Sequence, residues 1–370
     1  MVEEDNKPPA EAAVVEGQNE NENENENEGG NDDNKALATV NGTKESNRAV
    51  IASEAEETED EDVPVDVIED DEDLLDDYPP DVEDIELVHL RISSITALKL
   101  ERFKEVQKLC LRQNNILDIE ALGHLGGTLV DLDLYDNKIG HIHGLEELTK
   151  LENLDLSFNK IKHIKRINHL TGLKNLYFVQ NRIGRIEGLE GMTVLRNLEL
   201  GANRIREIEN IDHLTALEEL WLGKNKITEL KNLSTLTNLK ILSIQSNRLT
   251  KIEGLENLTS LEEFYISHNA LTEISGLENN KNLRVLDISN NQISKLENLS
   301  HLPHIEELWA SNNKLSSFEE VEKELSGMED LVTVYFEGNP LQREAAATYR
   351  NKVKLALPRV KQIDATFVRT

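Results

Sequence analysis

The chain has 370 residues, a single cysteine and a formal net charge of −31. One cysteine excludes an intramolecular disulfide framework, and no apolar run reaches the ~20 residues that a membrane-spanning helix needs. So acidic a chain also argues against a nucleic-acid binder, because phosphates would meet carboxylates.

Residues 1–82 carry 29 Asp/Glu against 4 Lys/Arg, so most of the negative charge is here. The segment alternates Asn and Glu from Asn19 to Glu28 and ends in acidic runs such as Asp70-Asp71-Glu72-Asp73. Such a composition buries too little apolar area to offset chain entropy, and it reads as a disordered acidic tail. Its role is solubility and spacing, or contact with a partner. The acidic N-terminus has no apolar signal-peptide core, so an intracellular protein is expected. The sequons at Asn41, Asn232, Asn257 and Asn298 then read as chance matches.

Residues 83–106 read as an N-terminal cap and degenerate first repeat, with Val88, Leu90 and Ile95 in frame and Ser93 where an asparagine is expected. Residues 107–341 repeat regularly. Asn137, Asn159, Asn181, Asn203, Asn225, Asn247, Asn269, Asn291 and Asn313 are each 22 residues apart, with Asn114 before and Asn339 after the series. Each sits in the frame L-x-L-x-x-N-x-I/L, as in Leu154-Asp155-Leu156-Ser157-Phe158-Asn159-Lys160-Ile161. The two leucines point inward from a short strand, and the residue between them points out. The asparagine amide turns inward to bond backbone groups of adjacent coils. Beyond it, apolar residues recur at every third position (Ile139, Ile142, Leu145, Leu148, Leu151), a period that suits 3-10 or extended segments.

This frame is the leucine-rich-repeat signature. It predicts an α/β solenoid: an arc with a concave parallel β-sheet, short 3-10 or extended convex segments and a C-terminal helical cap. No coil buries its apolar side alone, so the array folds by stacking. With strands ~4.8 Å apart, a dozen coils make a strip roughly 50 Å long, suited to a folded protein. The 26-residue gap from Asn313 to Asn339 accommodates a short helix over 318–325. Residues 342–370 read as the cap, helical from Glu344 to Leu357, stopped by Pro358, with Val360, Ile363 and Phe367 covering the last coil.

The residue between the leucines faces the hollow. In order the column reads Cys110, Asp133, Asp155, Tyr177, Glu199, Trp221, Ser243, Tyr265, Asp287, Trp309 and Tyr335. Both tryptophans of the chain are in it, and no lysine or arginine. The position before the first leucine adds Asp131, Glu219, Glu263 and Glu307. Aromatics among carboxylates fit a protein interface that selects a partner with basic patches. The alternative is that the rings only pack against one another along the ladder. A second column, Lys138, Lys160, Arg182, Arg204, Lys226, Arg248 and Lys314, follows the asparagines and reads as a basic edge. Enzyme signals are missing. Cys110 has no defined histidine partner, the histidines lack metal-ligand spacing, and no phosphate-binding glycine loop occurs, so no catalytic residue, metal or cofactor is expected.

The uniform coils, the acidic tail and a cap reading Gly338-Asn339-Pro340-Leu341, Tyr349-Arg350, Leu357-Pro358-Arg359-Val360 and Ile363-Asp364 resemble the protein phosphatase 1 regulatory subunit 7 family over about residues 83–370. The resemblance implies a non-catalytic regulatory subunit. It would bind the catalytic subunit of protein phosphatase 1 through the concave face and control its activity, supply or location. By repeat position, the implied contacts are Asp155, Tyr177, Glu199, Trp221, Asp287, Glu307, Trp309 and Tyr335, and the column itself adds Tyr265. Tyr177 and Trp221 stand where the family often has phenylalanine, which keeps an aromatic anchor. The resemblance further implies a ternary complex with a small phosphatase inhibitor protein, nuclear and cytoplasmic location, and a link to chromosome segregation. The chain contains no basic-x-Val/Ile-x-Phe/Trp docking segment, so the folded face would have to bind. An adaptor for a different partner, such as a dynein or ciliary component, is the alternative.

Overall fold

The computed structural model describes residues 74–368. Most of the expected acidic tail, residues 1–73, lies outside them. The remainder of that segment does not. Leu75 is fully buried, Leu74, Tyr78 and Val82 pack against the core, and the Tyr78 hydroxyl donates to the Glu86 carbonyl at 3.4 Å. The folded unit therefore begins earlier than charge alone suggests. The apolar residues of Leu74-Leu75-Asp76-Asp77-Tyr78 cover an otherwise open solenoid end.

Each coil contributes one three-residue strand. These are β1 (Asp84–Glu86), β2 (Lys108–Cys110), β3 (Asp131–Asp133), β4 (Asn153–Asp155), β5 (Asn175–Tyr177), β6 (Asn197–Glu199), β7 (Glu219–Trp221), β8 (Ile241–Ser243), β9 (Glu263–Tyr265), β10 (Val285–Asp287), β11 (Glu307–Trp309) and β12 (Thr333–Tyr335). All pair in parallel and in register, one central apolar residue over the next, as in Leu154 over Leu176, Leu242 over Phe264 and Leu308 over Val334. The convex side matches the period-three expectation. Short 3-10 turns at Thr96–Leu98, Leu100–Arg102 and Gly123–Leu125 give way to single turns such as Leu148 N–H to Leu145 C=O at 3.0 Å.

The asparagine ladder explains the spacing. In Asn203, Nδ2 donates to Phe178 O of the preceding coil at 2.8 Å and to Leu200 O of its own coil at 3.1 Å, while Oδ1 accepts from Ile183 N at 2.9 Å. The residue before each asparagine lies in the left-handed region, for example Gln180 at φ 55° and Lys224 at φ 54°. This turn aims the amide inward. The first coil differs from the sequence expectation. Ile85 and Leu87 are its buried strand leucine positions, so the asparagine position falls on Leu90 rather than Ser93, and Leu90 is 40% exposed. With no amide there, Asn114 of the next coil accepts from Leu90 N and Ile92 N at 3.0 and 3.1 Å.

A second left-handed position recurs on the convex side, filled by glycine or asparagine except at Ala121 and Arg166. At Gly144 a Cβ would meet Ile119 O at 2.0 Å, so in that coil a side chain requires the backbone to shift. Where asparagine stands instead, its amide bonds that carbonyl: Asn232 Nδ2 donates to Ile208 O at 2.7 Å and Asn298 Nδ2 to Ile274 O at 2.8 Å. Two of the four sequons are thus structural turn residues.

Helix α1 (Phe318–Leu325) forms where expected. Ser317 caps it, accepting from Glu320 N at 3.1 Å. The expected continuous helix from Glu344 does not form. Pro340–Arg343 makes a short helix α2, the chain turns through 344–348, and helix α3 spans Tyr349–Ala356. Ala346 and Ala347 are exposed and have nothing to bury, whereas Tyr349, Val353 and Ala356 sit against the last coil. Strand β13 (Gln362–Ile363) extends the sheet in parallel and β14 (Thr366–Phe367) folds back antiparallel. Val360 and Ile363 are buried as expected, but Phe367, on the outermost strand, is 73% exposed and covers nothing.

One core position breaks the leucine pattern. Asn280 stands in the column of Leu258 and Leu302 and is fully buried. Its Nδ2 donates to Leu255 O and Leu258 O, and its Oδ1 has no partner. Both carbonyls already accept from their own coil, from Leu258 N and Leu261 N at 3.0 and 3.2 Å. Asn280→Leu should therefore orphan nothing, remove an unpaired acceptor and raise stability by about 1 kcal/mol. Urea unfolding of the two forms measures it, and a lower midpoint for the leucine variant would contradict this account.

Candidate protein-binding face

The residue between the two leucines projects from every strand, and the sequence varies it freely because it packs into no core. Carboxylates dominate the column over β3–β6 and aromatics over β7–β12. The aromatic section alternates large and small: Trp221, Ser243, Tyr265, Asp287, Trp309, Tyr335. Rings on alternate strands start about 9.6 Å apart. Yet the centroids of Trp221 and Tyr265 are 6.4 Å apart, and those of Tyr265 and Trp309 are 6.1 Å apart. The rings lean together over the small residues between them, which leaves Ser243 at 1% and Asp287 at 8% exposure. Tyr335 closes the row edge-on to Trp309 at 6.0 Å. The rings thus pack on one another and stay half-buried.

Three of the four rings are also held by a carboxylate two residues earlier. Trp221 Nε1 donates to Glu219 Oε2 at 3.3 Å, Tyr265 OH to Glu263 Oε2 at 2.7 Å, and Trp309 Nε1 to Glu307 Oε2 at 3.0 Å. Tyr335 OH accepts from Gln362 Nε2 of the cap at 2.7 Å. Burial, then Glu263, pushes the Tyr265 phenol up, so its hydroxyl remains a donor. Residues i and i+2 of a strand share a face, so the repeated Glu-x-Trp and Glu-x-Tyr carried a signal for this clamp. Rings fixed in one rotamer are preorganised anchors.

The acidic section is built differently. Asp133 Oδ1 accepts from Tyr135 N at 3.0 Å and Asp155 Oδ1 from Ser157 N at 2.8 Å. Arg112 pairs with Asp133 at 3.3 Å. Beside this column runs an amide row: Asn153 donates to Asp131 at 3.0 Å and Asn175 to Asn153 at 2.6 Å. Burial raises the carboxyls of Asp133, Asp155 and Glu199 above the ordinary range, with neighbouring carboxylates adding to it. Burial, followed by Glu199 and Asp155, pushes the Tyr177 phenol up to about 12. Desolvated carboxylates with few cations around them favour a positive partner.

The structure thus places Asp155, Tyr177, Glu199, Trp221, Tyr265, Asp287, Trp309 and Tyr335 in one column, with Glu307 in the column beside it. Asp287 is the least available of them, being covered by rings and bonded through Oδ1 to Ser289 N at 3.0 Å. The basic column from Lys138 to Lys314 lies in the turns just after the strands, off this face. Convex histidines serve the fold: His124, His169, His213 and His301 each bond a carbonyl of the preceding coil through Nε2. Among the described residues no group of three or more His, Cys, Asp or Glu is placed to hold a metal ion. Nor is any helix among them long and apolar enough to cross a membrane.

Residues 215–257, 237–279, 259–301 and 281–323 match the family model described as leucine-rich repeats in two copies. A stretch of 91 residues is 57% identical to protein phosphatase 1 regulatory subunit SDS22 of Schizosaccharomyces pombe, covering 25% of this chain and 26% of that protein. A stretch of 47 residues is 64% identical to protein phosphatase 1 regulatory subunit 7 of Xenopus tropicalis, 13% of each chain. The matched stretches span 26% and 13% of the length of these two relatives. Among solved structures, an internalin from Listeria monocytogenes aligns with a TM-score of 0.63 at 25% identity, over 78% of this chain and 88% of that one.

Proposed function

We propose that this chain, a leucine-rich-repeat protein with relatives named as protein phosphatase 1 regulatory subunits, is itself a non-catalytic subunit that binds the phosphatase catalytic subunit. The contact is the strand face, and the protein acts by changing the enzyme's activity, supply or location. The observation that carries this reading is the row Trp221, Tyr265, Trp309 and Tyr335, each ring held by a polar clamp and left half-buried. A fold secures its rings by burying them; rings clamped at the surface are spent on a partner. Mixing the purified chain with the catalytic subunit and following the complex by gel filtration and calorimetry tests it. A 1:1 complex of micromolar or tighter affinity supports the reading, and no complex at high concentration removes it.

The carboxylates govern encounter more than residence. Replacing Asp155, Glu199 and Glu307 with their amides should slow association about tenfold at low ionic strength and far less at 0.5 M salt. Acid should do the same to the unmodified protein. Asp133, Asp155 and Glu199 have raised pKa values, so as pH falls they take up protons before ordinary carboxylates do. Association then slows on acidification at a higher pH than ordinary carboxylates would set. Stopped-flow rates across salt and pH check both, and rates indifferent to either contradict steering.

A further inference from the structure

Away from the Trp221–Tyr335 row, three planar groups stack on successive coils at the edge of the acidic section. The Arg112 guanidinium carbon lies 4.2 Å from the Tyr135 ring centroid, and the Tyr135 and Phe158 centroids are 4.8 Å apart with the rings tilted by 45°. Asp133 holds Arg112 in place at 3.3 Å. The last ring is the unusual one. Phe158 is 40% exposed, and its backbone lies in the left-handed region at φ 55°. Its counterparts immediately before other asparagines include Gln113, Asp136, Gln180, Lys224, His268 and Asn290. Among the described residues it is the only Phe, Tyr or Trp with a positive φ. A bulky side chain there strains the backbone, and exposure returns no burial in compensation.

Past Phe158 the next coil places Gln180 at the same position with Val179 before it, then Ala202 and Lys224 on the two coils after, and among the described residues no further ring packs on Phe158. The aromatic run therefore ends at the exposed Phe158 ring, with Asp155 on its own coil and Asp136 on the preceding one. On this face the charge pattern matches Arg112's own lodging: a guanidinium flat on a ring, with a carboxylate alongside.

We propose that Phe158 is a second anchor of the strand face, taking an arginine side chain of the same protein partner and extending the Arg112–Tyr135–Phe158 stack by one layer. The inference rests on the phosphatase reading above. It places a contact about 14 Å from the Trp221 row, three strand spacings away, at a position that the column between the leucines does not include.

The test uses the full chain with the phosphatase catalytic subunit, and compares Phe158→Asn with Trp309→Ala. Asparagine tolerates the left-handed region and already fills this position at Asn290 and Asn312. Phe158→Asn should therefore keep or raise the urea midpoint while weakening binding about tenfold. A lowered midpoint would make the ring a packing group and overturn the proposal. Unchanged affinity for Phe158→Asn, with Trp309→Ala weakened, would also overturn it and leave the phosphatase reading standing. If neither variant changed affinity, the strand face would not be the contact and the proposal would fall with it; if the parent chain formed no complex, the phosphatase reading itself would fail. A photo-crosslinking phenylalanine analogue at position 158 identifies the occupant. Attachment to a phosphatase peptide containing arginine supports the assignment, and attachment to one without arginine overturns it.

Discussion

Trp309→Ala should weaken the phosphatase complex by at least ~2 kcal/mol, about thirtyfold, without unfolding the chain. Trp309 lies at the centre of the ring row, 6.1 Å from Tyr265 and 6.0 Å from Tyr335, with Nε1 held by Glu307 at 3.0 Å. Its neighbours Leu308 and Ala310 make the core contacts of that coil and are fully buried, so truncating the ring removes surface and leaves the stack in place. The loss exceeds one contact because two further rings lose their lateral support, and Asp287 beneath them is uncovered. Calorimetry on the purified pair measures the affinity, and circular dichroism verifies the fold. Unchanged affinity with an unchanged spectrum would remove Trp309 from the interface.

Asn203→Ala should cost about 2 kcal/mol of stability. It leaves the Ile183 N–H without its 2.9 Å partner in an emptied, water-poor site, while Phe178 O loses its 2.8 Å bond but still accepts from Asn181 Nδ2 at 3.2 Å. Asn203→Asp separates the two halves of the amide's work. A carboxylate still accepts from Ile183 but cannot donate to Phe178, and it is buried as a charge. Burial raises its folded-state pKa above the unfolded value, so the ionised form is the destabilised one. Stability should accordingly be regained as pH falls through that raised pKa, when the protonated acid donates again. Urea midpoints from pH 7 down to pH 5 measure this. A pH-independent difference from the parent protein would contradict it. The C-terminal cap shows where an aspartate suffices. Asp364 accepts from Phe336 N, Glu337 N and the Tyr349 hydroxyl at 2.8, 3.1 and 2.8 Å, and all three partners are donors.

The 22-residue period, the leucine frame and the asparagines determine the solenoid by themselves. Each coil repeats the same local geometry, and a pattern of period two on the strand and three on the return has only one inward side. The same logic made the column between the leucines legible, including which residues face out together. Helix α1 was legible too, because a longer gap, a serine cap and an amphipathic octet are local signals. What the tertiary structure decided lies in contacts between coils and at the ends. The lean of Trp221, Tyr265 and Trp309 over Ser243 and Asp287 depends on side-chain torsions and on a small neighbour 22 residues away. So does the reach of Gln362 to Tyr335, across 27 residues. Leu90 at the first asparagine position, Leu75 on the open end and Phe367 standing clear arise at the ends of the array, and Asn280 is a single substitution within a leucine column. There the chain satisfies backbone groups and covers core with whatever residue the fold brings near, and periodicity carries no information about which one that is.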